Sequence, residues 1–120
     1  MKDLQQTLGY SFENTALLEN ALTHSSCANE SRGRLSSNER LEFLGDSILG
    51  MVVADYLYRT HPDLPEGELT RTRASLVCEE SLVEVATVWN LGGYLRRGRG
   101  AESGGGRTRP SIQADAVEAV

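Results

Sequence analysis

The sequence predicts an all-α domain. Apolar residues recur at helical spacing in several stretches, and alternating apolar–polar runs long enough for a half-buried strand are missing. The chain has 120 residues, 39% hydrophobic and 24% charged, which suits one compact domain with a single core. Aromatics are only 6%, so that core is mostly aliphatic.

The elements follow in order. A first helix is expected over Asn14–Ser25, with Asn14 as N-cap and Ala16, Leu17, Ala21 and His24 at helical spacing. The longest runs from Asn38 to Arg59, capped by Ser37 or Asn38. HPDLPEGEL breaks it with two prolines and a glycine, and Pro65 suits the opening of a new helix. Further helices are expected over Glu66–Leu76 and Glu79–Trp89. Glu79, Glu80 and Glu84 near the start of the second favour the helix dipole. Leu91–Arg109 reads as a loop rich in glycine and arginine with one helical turn near Tyr94, and Pro110 or Ser111 opens a last helix. That helix reaches Val120 still inside an apolar pattern, so more chain is expected beyond it.

Several classes are excluded. The longest apolar stretch, Ile48–Ala54, is far too short to span a bilayer. MKDLQQTLGYSF carries no apolar h-region and is not read as a signal peptide. Cys27 and Cys78 fit no metal-ligand spacing, and a reduced pair in the cytoplasm is expected. Gly98–Gly106 lacks the flanking strand and Gly-Lys-Ser/Thr of a nucleotide loop. Ser47, Ser111 and the cysteines lack a base at motif spacing.

The net charge is −5, which on its face argues against a nucleic-acid partner. Its distribution argues otherwise. Five arginines fall between Arg96 and Arg109, opposed only by Glu102, while the acids concentrate elsewhere. An acidic site beside a basic strip suits a metal-dependent nuclease, although a solvated loop with incidental arginines has the same composition.

NERLEFLGDSILG carries the strongest signal. At about 100° per residue, with Glu39 at zero, Glu42 falls near 300° and Asp46 near 340°. Leu41, Leu44, Ile48 and Val52 fall opposite, between about 140° and 220°. Like charges at i, i+3 and i+4 destabilise an isolated helix. A divalent cation is the natural candidate to offset that repulsion, and carboxylate oxygens are the ligands Mg²⁺ prefers. Gly45 costs about 0.5–1 kcal/mol relative to alanine, which close approach by a neighbouring helix or by substrate would justify. A solvated acidic face with a packing glycine is the alternative.

SIQADAVEAV supplies a second pair, Asp115 and Glu118, on one face of the last helix. Two acids from each of two helices make a four-carboxylate site of the kind that holds one or two metals and activates water for attack at phosphorus. Acids at this spacing are also common on helix surfaces, so spacing alone leaves both readings open.

At this point the residues resemble a known family. NERLEFLGDS in Asn38–Ser47 is similar to the signature of ribonuclease III, and ALTHSS, PEGELTRTRASLV and SIQADAVEAV resemble successive blocks of its bacterial nuclease domain. Together they cover nearly the whole chain, 1–120, in the expected order. The resemblance implies a Mg²⁺-dependent endoribonuclease, with Mn²⁺ able to substitute, that cuts double-stranded RNA to staggered ends with 5′-phosphate and 3′-hydroxyl, in rRNA and mRNA processing. It implies Glu42, Asp46, Asp115 and Glu118 as metal ligands. By the same resemblance Asp46 and Glu118 would be the catalytic pair, with catalysis depending most sharply on Glu118. Glu39 and Glu66 match auxiliary acids. The implied fold is an all-helical symmetric homodimer whose valley receives the duplex. Phe43 matches an aromatic that inserts into the partner subunit, with an ordinary core phenylalanine as the alternative.

The same resemblance makes the chain a C-terminally incomplete nuclease domain, without the double-stranded-RNA-binding domain that normally follows. Duplex readout then rests on shape and phosphates. Arg71, Arg73, Arg96, Arg97, Arg99, Arg107 and Arg109 are the candidate phosphate contacts. His24, on an apolar helix, matches a family position read as structural. Two other readings compete. A non-catalytic RNA- or ribosome-binding relative would be expected to lose some of the four acids. A plain helical dimerisation domain would not explain paired acids on two helices together with a basic loop.

Overall fold

The computed structural model describes residues 1–33, 35–96 and 109–120. Among them the architecture is helical: α1 (Lys2–Leu8), α2 (Thr15–Ala21), α3 (Ser25–Glu30), α4 (Glu39–Thr60), α5 (Glu66–Val77), α6 (Glu79–Val88), a 3₁₀ turn (Leu91–Tyr94) and α7 (Pro110–Ala119). Pro110 occupies the first turn of α7, where its missing N–H costs nothing. No described helix is long and apolar enough to cross a membrane.

The N-terminal third departs from the sequence reading. Asn14 does cap α2, accepting from the Ala16 amide at 3.1 Å. The helix then stops at Ala21 instead of running to Ser25. The cause is tertiary. Thr23 pairs with Arg96 in an isolated parallel bridge. The Arg96 amide donates to the Leu22 carbonyl at 2.8 Å, and the His24 amide donates to the Arg96 carbonyl at 2.7 Å. These bonds hold the backbone out of helix. His24 is therefore the N-cap of α3, its Nδ1 accepting from the Ser26 amide at 3.1 Å, and not a residue on an apolar helix face. Neither α1 nor α3 is foreseen. Gly9 ends α1 with φ 71°, a conformation that glycine adopts without strain.

The core gathers Leu4, Leu18, Leu22, Ala86, Leu91, Leu95, Ile112 and Ala116, flanked by Phe12, Trp89 and Val117. It is aliphatic, as the composition implies. α7 is its keystone, packed against both α4 and α6. α4 is different. Its one fully buried side chain is Leu57. The predicted apolar face is real but open: Leu41, Leu44, Ile48 and Val52 line a groove of about 570 Å³, walled on its other sides by α5, α6 and α7.

Candidate metal centre

The site is built where α7 crosses the N-terminal half of α4. Gly45 makes the crossing possible. A Cβ built there would lie 1.6 Å from the carbonyl oxygen of Glu118, so only a residue without a side chain lets the two backbones meet. On α7, Ala114 and Ala116 are buried and small on either side of Asp115. Close approach by a neighbouring helix, one of the two roles Gly45 suggests in sequence, is the role it plays.

That contact brings the two acid pairs together. Glu42, Asp115 and Glu118 are half-buried, and Asp46 and Glu39 are exposed. Burial pushes the Glu42 carboxyl up to about 7, aided by the charge of Asp115, a hydrogen bond with the Asp115 side chain, and the charges of Glu118 and Glu39. Burial also raises Glu118, followed by the charges of Asp46 and Asp115. Each pair therefore acts on the other across the interface. Among the described residues no Lys or Arg forms an ion pair with any of these acids.

The donor chemistry fits a hard divalent cation. Carboxylates from the two helices raise one another's pKa, and among the described residues none is relieved by an ion pair with Lys or Arg. No three acidic, His or Cys side chains among the described residues have converged into a cage ready to hold a metal ion. The backbone contact at Gly45 brings the two helices, and with them the two acid pairs, together.

The remaining candidates are scattered. Glu66 does not join the four. It opens α5 and lines a separate hollow with Leu57, Tyr58 and Arg73, because the first half of α5 packs at the far end of α4, about 18 Å or more along the helix from Glu42. Arg71 is exposed and ion-paired with Glu68 on its own helix. Arg73 and Arg109 are exposed, and Arg96 is half-buried beside Asn20 and Thr23. Arg97, Arg99 and Arg107 lie outside the described residues. Phe43 is 79% exposed, so it is not a core phenylalanine. It heads an outward strip with Leu44, Met51 and Tyr58.

One contributor escapes the sequence reading. Asn38 reads as a helix cap but makes no capping bond. It is buried, and its Nδ2 donates to the Ala21 carbonyl at 2.9 Å. Its place at the head of the NERLEFLGDS string was visible in the sequence, but a cap explains it equally well.

Comparison with known proteins agrees with this architecture. Residues 14–120 match the family model described as Ribonuclease-III-like. The chain is 55% identical over 98% of its length to Ribonuclease 3 of Desulforamulus reducens, covering 48% of that protein. It is 57% identical over 98% of its length to Ribonuclease 3 of Streptomyces coelicolor, covering 42% of that one. The chain thus spans about half the length of the curated relatives it matches. The solved nuclease domain of ribonuclease III from Campylobacter jejuni superposes with a TM-score of 0.91 at 42% identity, over 98% of this chain and 79% of that one. Family model, relatives and solved fold agree with the acid-bearing helices in assigning this chain to the ribonuclease-III-like family.

Proposed function

We propose that this chain is the nuclease domain of a cytoplasmic, Mg²⁺-dependent endoribonuclease that cuts double-stranded RNA as a homodimer. The observation that carries the proposal is the Gly45–Glu118 backbone contact, which seats the acids of α4 against those of α7. Glu42, Asp46, Asp115 and Glu118 are the residues that would hold Mg²⁺, or Mn²⁺ in its place. A bound divalent ion supplies charge stabilisation at phosphorus and a more acidic water. The protein's own contribution is to hold the two acid-bearing helices against one another at Gly45.

The proton on Glu42 matters here. A carboxyl held near 7 and hydrogen-bonded to Asp115 is half-neutral at neutral pH. Metal binding must displace that proton. Burial first, and then the neighbouring carboxylates, raise Glu42 and Glu118, and a cation beside them would favour their charged forms. Glu39, exposed at the start of α4, adds negative potential at the mouth of the site. The exposed Phe43 strip supplies the apolar surface for a second copy, and Arg71, Arg73 and Arg109 are exposed cations available to phosphates. The solved Campylobacter jejuni nuclease domain has a region involved in dimer formation, which supports a homodimer here.

The test is cleavage of a long, fully paired RNA with Mg²⁺ and with EDTA, reading the product ends. Short staggered products bearing 5′-phosphate, formed only with Mg²⁺, are expected. Duplex binding without cutting, by the longest chain that contains this domain, would replace the proposal with a non-catalytic RNA-binding role.

A further inference from the structure

At the foot of α4 lies a buried polar junction that the acids do not explain. Asn38 is 5% exposed. Its backbone sits at φ −84°, ψ 5°, outside the extended region from which a capping side chain reaches the first amides of a helix. Its carboxamide turns the other way, onto the Ala21 carbonyl at 2.9 Å. Its backbone N–H donates to the Thr23 carbonyl at 2.9 Å, and its own carbonyl accepts the Glu42 amide at 2.8 Å. On either side of Thr23, Leu22 and His24 are bonded to Arg96. One residue therefore ties the end of α2 and the bridged 22–24 segment to the amide of Glu42.

We infer that Asn38 is a positioning residue for the acids of α4. Its two bonds to the 21–23 backbone set where the helix begins and how it is turned about its axis. Glu42 lies between two anchors, four residues after Asn38 and three before Gly45, which rests on Glu118. A start displaced by one residue turns the first-turn side chains by about 100°. Release of the Asn38 anchor would let the first turn fray, carrying Glu39 and Glu42 away from α7, while Asp46 beyond Gly45 stays held. The role needs a donor of this reach. Aspartate is acceptor-only when ionised, and serine and alanine cannot span to Ala21.

This inference rests on the proposed metal centre, so the test must separate the two. Mn²⁺ alone is titrated into metal-free protein and followed by the loss of the free-ion EPR signal, with thermal melting alongside. Asn38→Ser keeps a good capping residue for the helix but loses the bond to Ala21. Thr23→Val removes a different, part-buried bond of the same junction, Thr23 Oγ1 to the Glu19 carbonyl at 2.7 Å, and the Thr23 side chain makes no hydrogen bond to α4. Both are expected to melt earlier than the unaltered protein. Only Asn38→Ser should also bind Mn²⁺ more weakly, on the order of tenfold. Asn38→Ala should do the same, and if it does not fold Asn38→Ser carries the comparison. Mn²⁺ affinity in Asn38→Ser equal to that of Thr23→Val, with Glu42→Gln weaker than both, would overturn the inference and leave the metal centre standing. Failure of the unaltered protein to bind Mn²⁺, or equal binding by Glu42→Gln, would remove the metal centre and this inference together.

Discussion

On α4, Glu42 turns toward α7 and is half-buried, whereas Phe43, the very next residue, is 79% exposed. The two faces of this helix are about 100° apart and meet different fates. The inward face presses backbone against backbone at Gly45 and gathers charge. The outward face carries large apolar side chains, Phe43, Met51 and Tyr58, that touch little within the chain. Burial here does not follow hydrophobicity. The inward face holds carboxylates that a purely stabilising design would avoid, and the outward face exposes apolar surface of the kind that marks interaction sites.

The largest break in this contrast comes from Glu118→Gln. It keeps the helix contact and removes one ligand charge, so RNA cleavage should fall below detection while circular dichroism and self-association are unchanged. Near-normal cutting would refute the assignment of the inward face.

Gly45→Ala attacks the same face through packing. The added methyl meets backbone at 1.6 Å, so the helices must part. Overpacking of this kind costs about 1–3 kcal/mol, visible as an earlier thermal transition, and cleavage should drop with it. Unaltered melting would mean that α7 does not lie where described.

Phe43→Ala tests the outward face. It should weaken self-association by about 2 kcal/mol or more if the ring is a central anchor, measured by sedimentation equilibrium. The stability of the isolated subunit should change by less than about 0.5 kcal/mol, because the side chain is exposed.

A smaller effect is the response of the metal-free protein to pH. Glu42 lies above its ordinary value of 4.5, at about 7, and Glu118 is raised as well. Such groups take up protons on folding. Their favourable contribution is complete below the ordinary value and is lost as the pH rises through about 7. Melts in EDTA should therefore show lower stability at pH 8 than at pH 5, and Glu42→Gln should flatten the difference. Added Mg²⁺ should restore stability mainly at the higher pH. The opposite slope would contradict the crowding of these carboxylates.

Least of all should follow from breaking the Arg71–Glu68 pair on α5. Both side chains are largely exposed, and such pairs contribute about 0–1 kcal/mol. A large loss of stability in Arg71→Ala would show that α5 is held more firmly than its lack of buried residues suggests.

Much of this was legible in the sequence. The helices from α4 onward follow from periodicity and from the breakers around Pro65 and Pro110. The acids of α4 and α7 were legible because carboxylates at i, i+3 and i+4 share a face whatever surrounds them. The N-terminal third was not. Leu17, Ala21 and His24 keep helical spacing through a point where the backbone leaves the helix, and the cause lies in Arg96, more than 70 residues away in the chain. Local propensity cannot register such a bond. Asn38 misled for a related reason: a capping residue and a buried pin are the same amino acid before the same helix. The separation of Glu66 from the other acids depends on where α5 lies against α4, which no spacing rule contains.

The close approach at Gly45 also has a consequence in time. Glu42 and Glu118 stand 76 positions apart in the chain, so during synthesis the first acid pair emerges long before the second. Until α7 docks on that glycine, a growing chain carries only the acids of α4. Contacts of such long sequence separation also tend to form late. The two acid pairs thus cannot act on one another until residues 110–119 have been made and folded onto α4.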